Sequence, residues 1–286
     1  MARSEPAAAA PGVLRLTGRD VLAVLHNIST QRFDDLAAGE ARLALFCDFR
    51  GRLLHRVAAA RVADGSVWLL REDAPGDALA AFLDRSVFRE DVTIEDASAA
   101  WRVEWSAAFA SGDALLEENG APAVIAFAGG PVYHLARDGA RADAGVSASA
   151  RELTRIAVGW AAHGHEITEE FHPFEVNLGQ AVHLDKGCFT GHESLMRRVT
   201  YKSVRRRLAR LEGRGGVPAP AQVRRAGRGA GQLTSAAPQG DGWSALAVLA
   251  HEACEVGADV EIEGTGGARV AEVFTLRSPL GRPLRI

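Results

Sequence analysis

Apolar and polar positions first alternate and then cycle at the start of the chain. Val13-Leu14-Arg15-Leu16, a break at Gly18 and an apolar-periodic run over 20–28 predict a strand followed by a helix. Residues 43–48, 53–62 and 66–70 carry strand patterns, with Asp64-Gly65 as a hairpin signal between the last two. Helical period returns over 77–88, with Leu79, Phe82, Leu83 and Val87 on one side. Strand-like stretches at 92–95 and 101–105 follow, then an expected short helix over 114–119 ended by Gly120. This order lacks the long βαβ rhythm of a doubly wound sheet, so the predicted class is α+β, antiparallel sheet with helices.

Past Val204 the texture changes. Short strand-like pieces at 206–211, 231–235, 245–249, 260–263 and 269–276, separated by glycine-rich turns, predict a small C-terminal β-barrel. A boundary near Ser203 divides the chain into 1–203 and 204–286. Gly227-Arg228-Gly229-Ala230-Gly231 lacks the GK[ST] ending of a phosphate loop and runs into a strand, so a barrel turn is expected.

Composition bounds the class. Of 286 residues, 47% are hydrophobic and 24% charged, which fits a globular protein of two or three packed modules. No apolar run approaches the roughly 20 residues of a membrane span, and the first residues carry no secretory h-region, so a cytoplasmic protein with a frayed N-terminus is expected. The net charge of −3 gives no global reason for binding DNA or a membrane. Cys47, Cys188 and Cys254 are odd in number and far apart, matching neither a disulfide framework nor a CxxC metal pair.

Candidate chemistry concentrates between His163 and Arg210, which hold five of nine histidines and both lysines, Lys186 and Lys202. In Lys186-Gly187-Cys188-Phe189-Thr190-Gly191-His192-Glu193, two glycines bracket a thiol, a lysine precedes it and a helix is expected over 191–199. A cation and a helix N-terminus both favour thiolate. Chemistry alone leaves the plainer alternative ahead: a tight turn with Cys188 as a small buried apolar residue and Lys186 as a surface charge. His163, His165, Glu166, Glu169, Glu170 and His172 include metal-ligand types at no zinc spacing and read as a solvated polar loop. The acid-free basic stretch 194–211 admits RNA binding, though solvated side chains at a helix–strand junction are preferred. Trp101 and Trp105 are expected in the core on alternate turns.

The octapeptide resembles the KGCYxGQE signature of the YgfZ-type folate-binding proteins, relatives of the glycine-cleavage aminomethyltransferase, with Phe189 for tyrosine and His192 for glutamine. Arg155-Ile156, Gly159, Gly164, Glu166-Ile167, Pro173, Glu175 and Asn177-Leu178 fall in that family's order ahead of it. Thr30 with Leu36 and Gly39, then Gly51-Arg52, resemble its N-terminal pattern, and Gly231-Gln232-Leu233-Thr234-Ser235 its barrel. The resemblance implies two related α+β modules and a β-barrel around a tetrahydrofolate pocket, and a role in iron–sulfur cluster assembly, maturation or repair with client iron–sulfur proteins or cluster carriers as partners. It makes Cys188 and Lys186 the central residues, with Gly187, Phe189, Gly191, His192 and Glu193 completing the motif and Arg198, Arg197, Thr30, Asn27 and His55 as folate-binding candidates. No metal, DNA or membrane site is expected. The alternative is a tetrahydrofolate-dependent aminomethyltransferase or other one-carbon transferase. Against it, His55-Arg56 and Ala157 stand where those enzymes carry carboxylates.

Overall fold

A computed structural model of the chain describes residues 11–109, 113–127, 130–137, 147–218 and 220–277. The expected frayed N-terminus lies outside the described residues. The structure is α+β and divides into two compact units, each taken here by itself.

The first unit comprises Met1–Ile28, Arg32–Ala44 and Arg56–Asp143. Its larger sheet holds β1 (Gly12–Thr17), β2 (Glu40–Cys47), β3 (Leu53–Arg61), β4 (Val67–Arg71) and β5 (Thr93–Asp96) in the order β2-β3-β4-β1-β5. Strands β2 and β3 carry the chain across the unit boundaries at Ala44 and Arg56. Every residue of β4 is buried, as expected of a strand covered on both faces rather than one. Helix α1 (Val21–Ile28) buries Val21, Val24 and Leu25, one face at i, i+3 and i+4 spacing. Helix α2 (Asp77–Asp84) buries Leu79 and Leu83 and stops four residues short of the expected end, leaving Phe88 85% exposed.

The second sheet of this unit corrects the expectation for 114–119. That segment is strand β7 (Ala114–Glu118), which follows β6 (Trp101–Phe109) and pairs with β8 (Ala121–Ala126); β9 (Pro131–Arg137) completes the order β6-β9-β8-β7. Asn119 at φ 53° and Gly120 at φ 75° join β7 to β8, the left-handed pair that matches the twist of a hairpin, so Asn-Gly marks a turn and not a helix end. Trp101 and Trp105 therefore sit on a strand and are only half-buried. Trp101 meets Trp68 edge-on at 5.3 Å and carries the Arg137 guanidinium over its face at 5.3 Å.

The second unit comprises Ser29–Gln31, Leu45–His55 and Ala144–Ile286. Helix α3 (Ala148–Val158), which the periodicity reading missed, is capped by Ser147, whose hydroxyl accepts from the Ala150 N–H at 3.2 Å. It ends on Gly159 in the left-handed conformation, where a side chain would stand 2.8 Å from the Phe274 ring. Helix α4 (His192–Thr200) follows the octapeptide. The barrel then closes in the order β10-β13-β12-β11-β14-β15, from β10 (Arg206–Arg214), β11 (Ala221–Arg225), β12 (Arg228–Gln239), β13 (Gly242–Ala250), β14 (Asp259–Ile262) and β15 (Gly266–Val273). Leu211, Val223, Leu233, Leu249 and Val270 fill its interior. Ala226 at φ 50° and Gly227 at φ 72° turn β11 into β12, so the glycine-rich tract opens on a barrel turn, as expected, and from Arg228 onward is strand. Among the described residues no helix is long and apolar enough to cross a membrane.

Candidate functional site

The octapeptide is held from both ends. Gly187 (φ 107°) and Gly191 (φ 85°) take backbone conformations that side chains resist, and Gly191 is also sterically required. A Cβ there would lie 2.6 Å from the Asp48 carbonyl oxygen and 3.0 Å from Gly51 Cα. The turn at 48–52 is itself organised by Asp48, whose carboxylate accepts the Arg50 and Arg52 N–H groups at 2.8 Å each. Ser194 ties α4 to this turn by donating to the Arg50 carbonyl at 2.7 Å, and Leu195 packs on Gly51.

Within this frame Lys186 is buried, not the surface charge of the plainer reading, with its Nζ 5.0 Å from the Phe189 ring centroid. Phe189 meets His192 edge-on at 4.9 Å, and His192 Nε2 lies 2.9 Å from the Leu184 carbonyl. A carbonyl only accepts, so that contact places the ring proton on Nε2; the glutamine usual in the resembled motif can make the same donation. Cys188 is exposed, against the expectation from chemistry alone. The other two thiols differ. Burial, then the Asp48 charge, push the buried Cys47 well up, and burial raises the half-buried Cys254 to about 11 despite the opposing Arg207.

Helix α4 carries the two arginine candidates to different surroundings. Arg197 pairs with Glu193 at 2.6 Å on an exposed face, a contact worth less than about 1 kcal/mol. Arg198 is half-buried, and its Nε is buried with no hydrogen-bond partner among the described residues. Burial pulls its pKa down, with Arg52 and Arg206 adding to the shift and Glu175 opposing it. Arg206 meets Glu175 through two contacts, 2.9 and 3.1 Å, and stands 5.0 Å over the Phe171 ring. Glu175 also accepts the His172 N–H at 3.0 Å. His172 is 1% exposed, so the loop from His163 is not solvated throughout as expected, and its Nδ1 has no hydrogen-bond partner among the described residues. Burial, opposed by Glu175 but reinforced by Arg198, Arg52 and Arg206, lowers His172 to about 4. Glu170 stands 3.8 Å from Arg206 Nη1, so three guanidinium groups face two carboxylates and the cluster keeps a net positive charge at neutral pH, suited to an anionic group.

A second buried network secures the approach to the octapeptide. Arg155 Nη1 meets Glu166 Oε2 at 2.9 Å, and the Ala162 N–H donates to the same oxygen at 3.0 Å. Ser235 donates to Glu166 Oε1 at 2.6 Å, joined by the Thr234 hydroxyl. Burial alone would raise Glu166; Arg155 first, then Ser235, Thr234 and Ala162, hold it below the usual carboxylate range. Arg155, Ala162, Glu166 and the Thr234-Ser235 pair are thus one hydrogen-bonded unit.

The remaining candidates fall elsewhere. Thr30 is buried, and its hydroxyl donates to the Ala181 carbonyl at 2.6 Å, which makes it a structural tie. Asn27 is exposed on α1 in the first unit, while His55 is half-buried at the end of a segment of the second. Arg56, in the first unit, is buried on Glu72 with Asp73 3.4 Å away. Arg206 lies in the basic stretch 194–211 singled out in the sequence, whereas His172 and Arg52 were not named as folate-site residues. The one signal for the cluster was Glu175, which gathers His172 and Arg206. Among the described residues no group of three or more His, Cys, Asp or Glu could hold a metal ion.

No family model matches the chain. A putative chloroplastic transferase of Arabidopsis thaliana is 30% identical over 128 residues, 43% of this chain and 29% of that protein. The aminomethyltransferase of Lysinibacillus sphaericus is 24% identical over 224 residues, covering 65% of this chain and 60% of its own length. The matched stretches thus span less than two thirds of these curated relatives. The crystal structure of the glycine cleavage system aminomethyltransferase T from Bartonella henselae superposes with a TM-score of 0.73 at 18% identity, over 97% of this chain and 86% of that one. The fold is that of aminomethyltransferase T.

Proposed function

We propose that the chain is a YgfZ-type, reduced-folate-binding accessory protein of iron–sulfur cluster assembly or repair, with Cys188 as its working thiol. The observation that carries the reading is Arg198: a guanidinium nitrogen with no hydrogen-bond partner among the described residues, in a cationic cluster, on the helix that begins four residues after an exposed cysteine. A buried donor without an acceptor costs on the order of 1–3 kcal/mol, and a ligand carboxylate would remove that cost. Arg198 would hold a glutamate carboxylate of tetrahydrofolate, with the cationic His172 surroundings favouring the anion. The cluster suits that end of the molecule. An iron–sulfur cluster would be cargo met at Cys188, since one cysteine in the segment cannot supply four thiolates.

The transferase reading draws support from the names of the curated relatives. Transfer chemistry needs a positioned carboxylate near pterin and amine, and the two stretches concerned offer His55, Arg56 and an exposed Ala157 instead. Two assays separate the readings. In cells lacking this protein, an iron–sulfur enzyme should regain activity with the wild-type chain and not with Cys188→Ser. The purified protein should release no ammonia from an aminomethyl-lipoyl donor with tetrahydrofolate; enzyme-like rates there would make it a transferase.

A further inference from the structure

We propose that the turn at 48–52 and helix α4 form a docking surface for an acidic, partly apolar protein face that brings its partner to the Cys188 thiol. The inference rests on the proposed role of Cys188. Phe49 is 74% exposed and Tyr201 75%, and large apolar side chains that gather at a surface are characteristic of contact sites. Phe49 lies between Asp48, which abuts Gly191, and Arg50, whose carbonyl accepts from Ser194. Arg50 also sits 5.2 Å over the Phe49 ring. Ser194 and Tyr201, seven residues apart, share a face of the helix and its end. Cys188 stands three residues ahead of Gly191.

Charge selects the partner. Exposed along 48–52 and 185–205 are four basic residues (Arg50, Arg197, Lys202, Arg205) and two acidic ones (Asp185, Glu193), in a chain whose net charge is −3. Glu193 is paired with Arg197 and Asp185 is the other exposed acid, so Arg50, Lys202 and Arg205 leave this surface net positive. An acidic face is therefore steered here and a basic one repelled. A nucleic acid would use the arginines and the rings but has no use for a thiol; a protein face uses all three.

The test uses two peptides, each with a central cysteine activated as its 2-thiopyridyl disulfide, one rich in glutamate and leucine and the other with lysine in place of glutamate. The Cys188 thiolate attacks the peptide sulfur, forms the mixed disulfide and expels 2-thiopyridine, which is read by absorbance; peptide mapping confirms the site. The acidic peptide should react about tenfold faster, with an advantage that shrinks in salt and in Phe49→Ser and Arg50→Glu. Labelling of Cys188 by neutral iodoacetamide should be the same in both variants and the wild type. Equal rates for the two peptides, or an advantage undiminished in the variants, overturn the docking surface while leaving the proposed function standing. Suppression of the acidic peptide's reaction by oligouridylate bound with steep salt dependence would assign the surface to nucleic acid and overturn it too. Failure of iodoacetamide to reach Cys188 in the folded protein removes both.

Discussion

Arg155 and Glu166 form a fully enclosed ion pair, 2.9 Å from Nη1 to Oε2, that barrel strand β12 completes through the hydroxyls of Thr234 and Ser235. Removing one charge of such a pair leaves the other buried and uncompensated. Glu166→Gln should therefore cost about 3–5 kcal/mol, and Ser235→Ala about 1–3, read as shifts in the urea midpoint. Because the folded state holds the Glu166 carboxyl below its unfolded value, its contribution is present above that unfolded value and is lost as pH falls through the lower one. The acid limb of the stability curve should flatten in Glu166→Gln.

Gly191 and Gly187 both have positive φ, yet only Gly191 has a backbone oxygen, that of Asp48, 2.6 Å from where a Cβ would be. Gly187 has nothing within 4 Å. Gly187→Ala should cost about 1–2 kcal/mol from conformation alone, and Gly191→Ala clearly more, because the 48–52 turn must also move. Thermal melts of the pair decide it; equal losses would mean that the turn yields freely.

Burial holds His172 neutral, lowering it from the ordinary imidazole range near 6.5 to about 4. The unfolded chain takes up this proton first on acidification, so stability contributed by His172 is complete above pH 6.5 and declines as pH falls toward 4, by about 3 kcal/mol at most. His172→Asn should remove that slope between the two values in urea titrations at stepped pH.

The three thiols should separate under iodoacetamide. Cys188, exposed, should be labelled first, Cys254 slowly, and Cys47 only after unfolding, because burial disfavours the thiolate of the latter two. Cys188→Ser should melt close to wild type. Mass spectrometry showing Cys188 protected in the folded state would contradict its role.

Legibility in the sequence followed the strength of each local signal. The barrel and the helix after the octapeptide were readable because glycine turns and periodic apolar residues punctuate them. Strand β11 was not, since Val223 is its single buried residue between polar neighbours. Leu115 and Leu116 fit helix or strand equally, and only the left-handed demand of Asn119-Gly120 decides between them. At the site, Arg198 and the signature residues could be named from the resemblance. The cationic cluster could not, because Arg52, His172 and Arg206 are far apart in sequence and His172 sits among residues that look solvated.

The central claim is tested most directly by calorimetric titration of tetrahydrofolate into the wild-type protein and Arg198→Ala. The account predicts saturable heat for the wild type and affinity weakened at least about tenfold in the variant, the loss of one charge-assisted hydrogen bond. Absence of heat and of any fluorescence change in the wild type at millimolar tetrahydrofolate would contradict it.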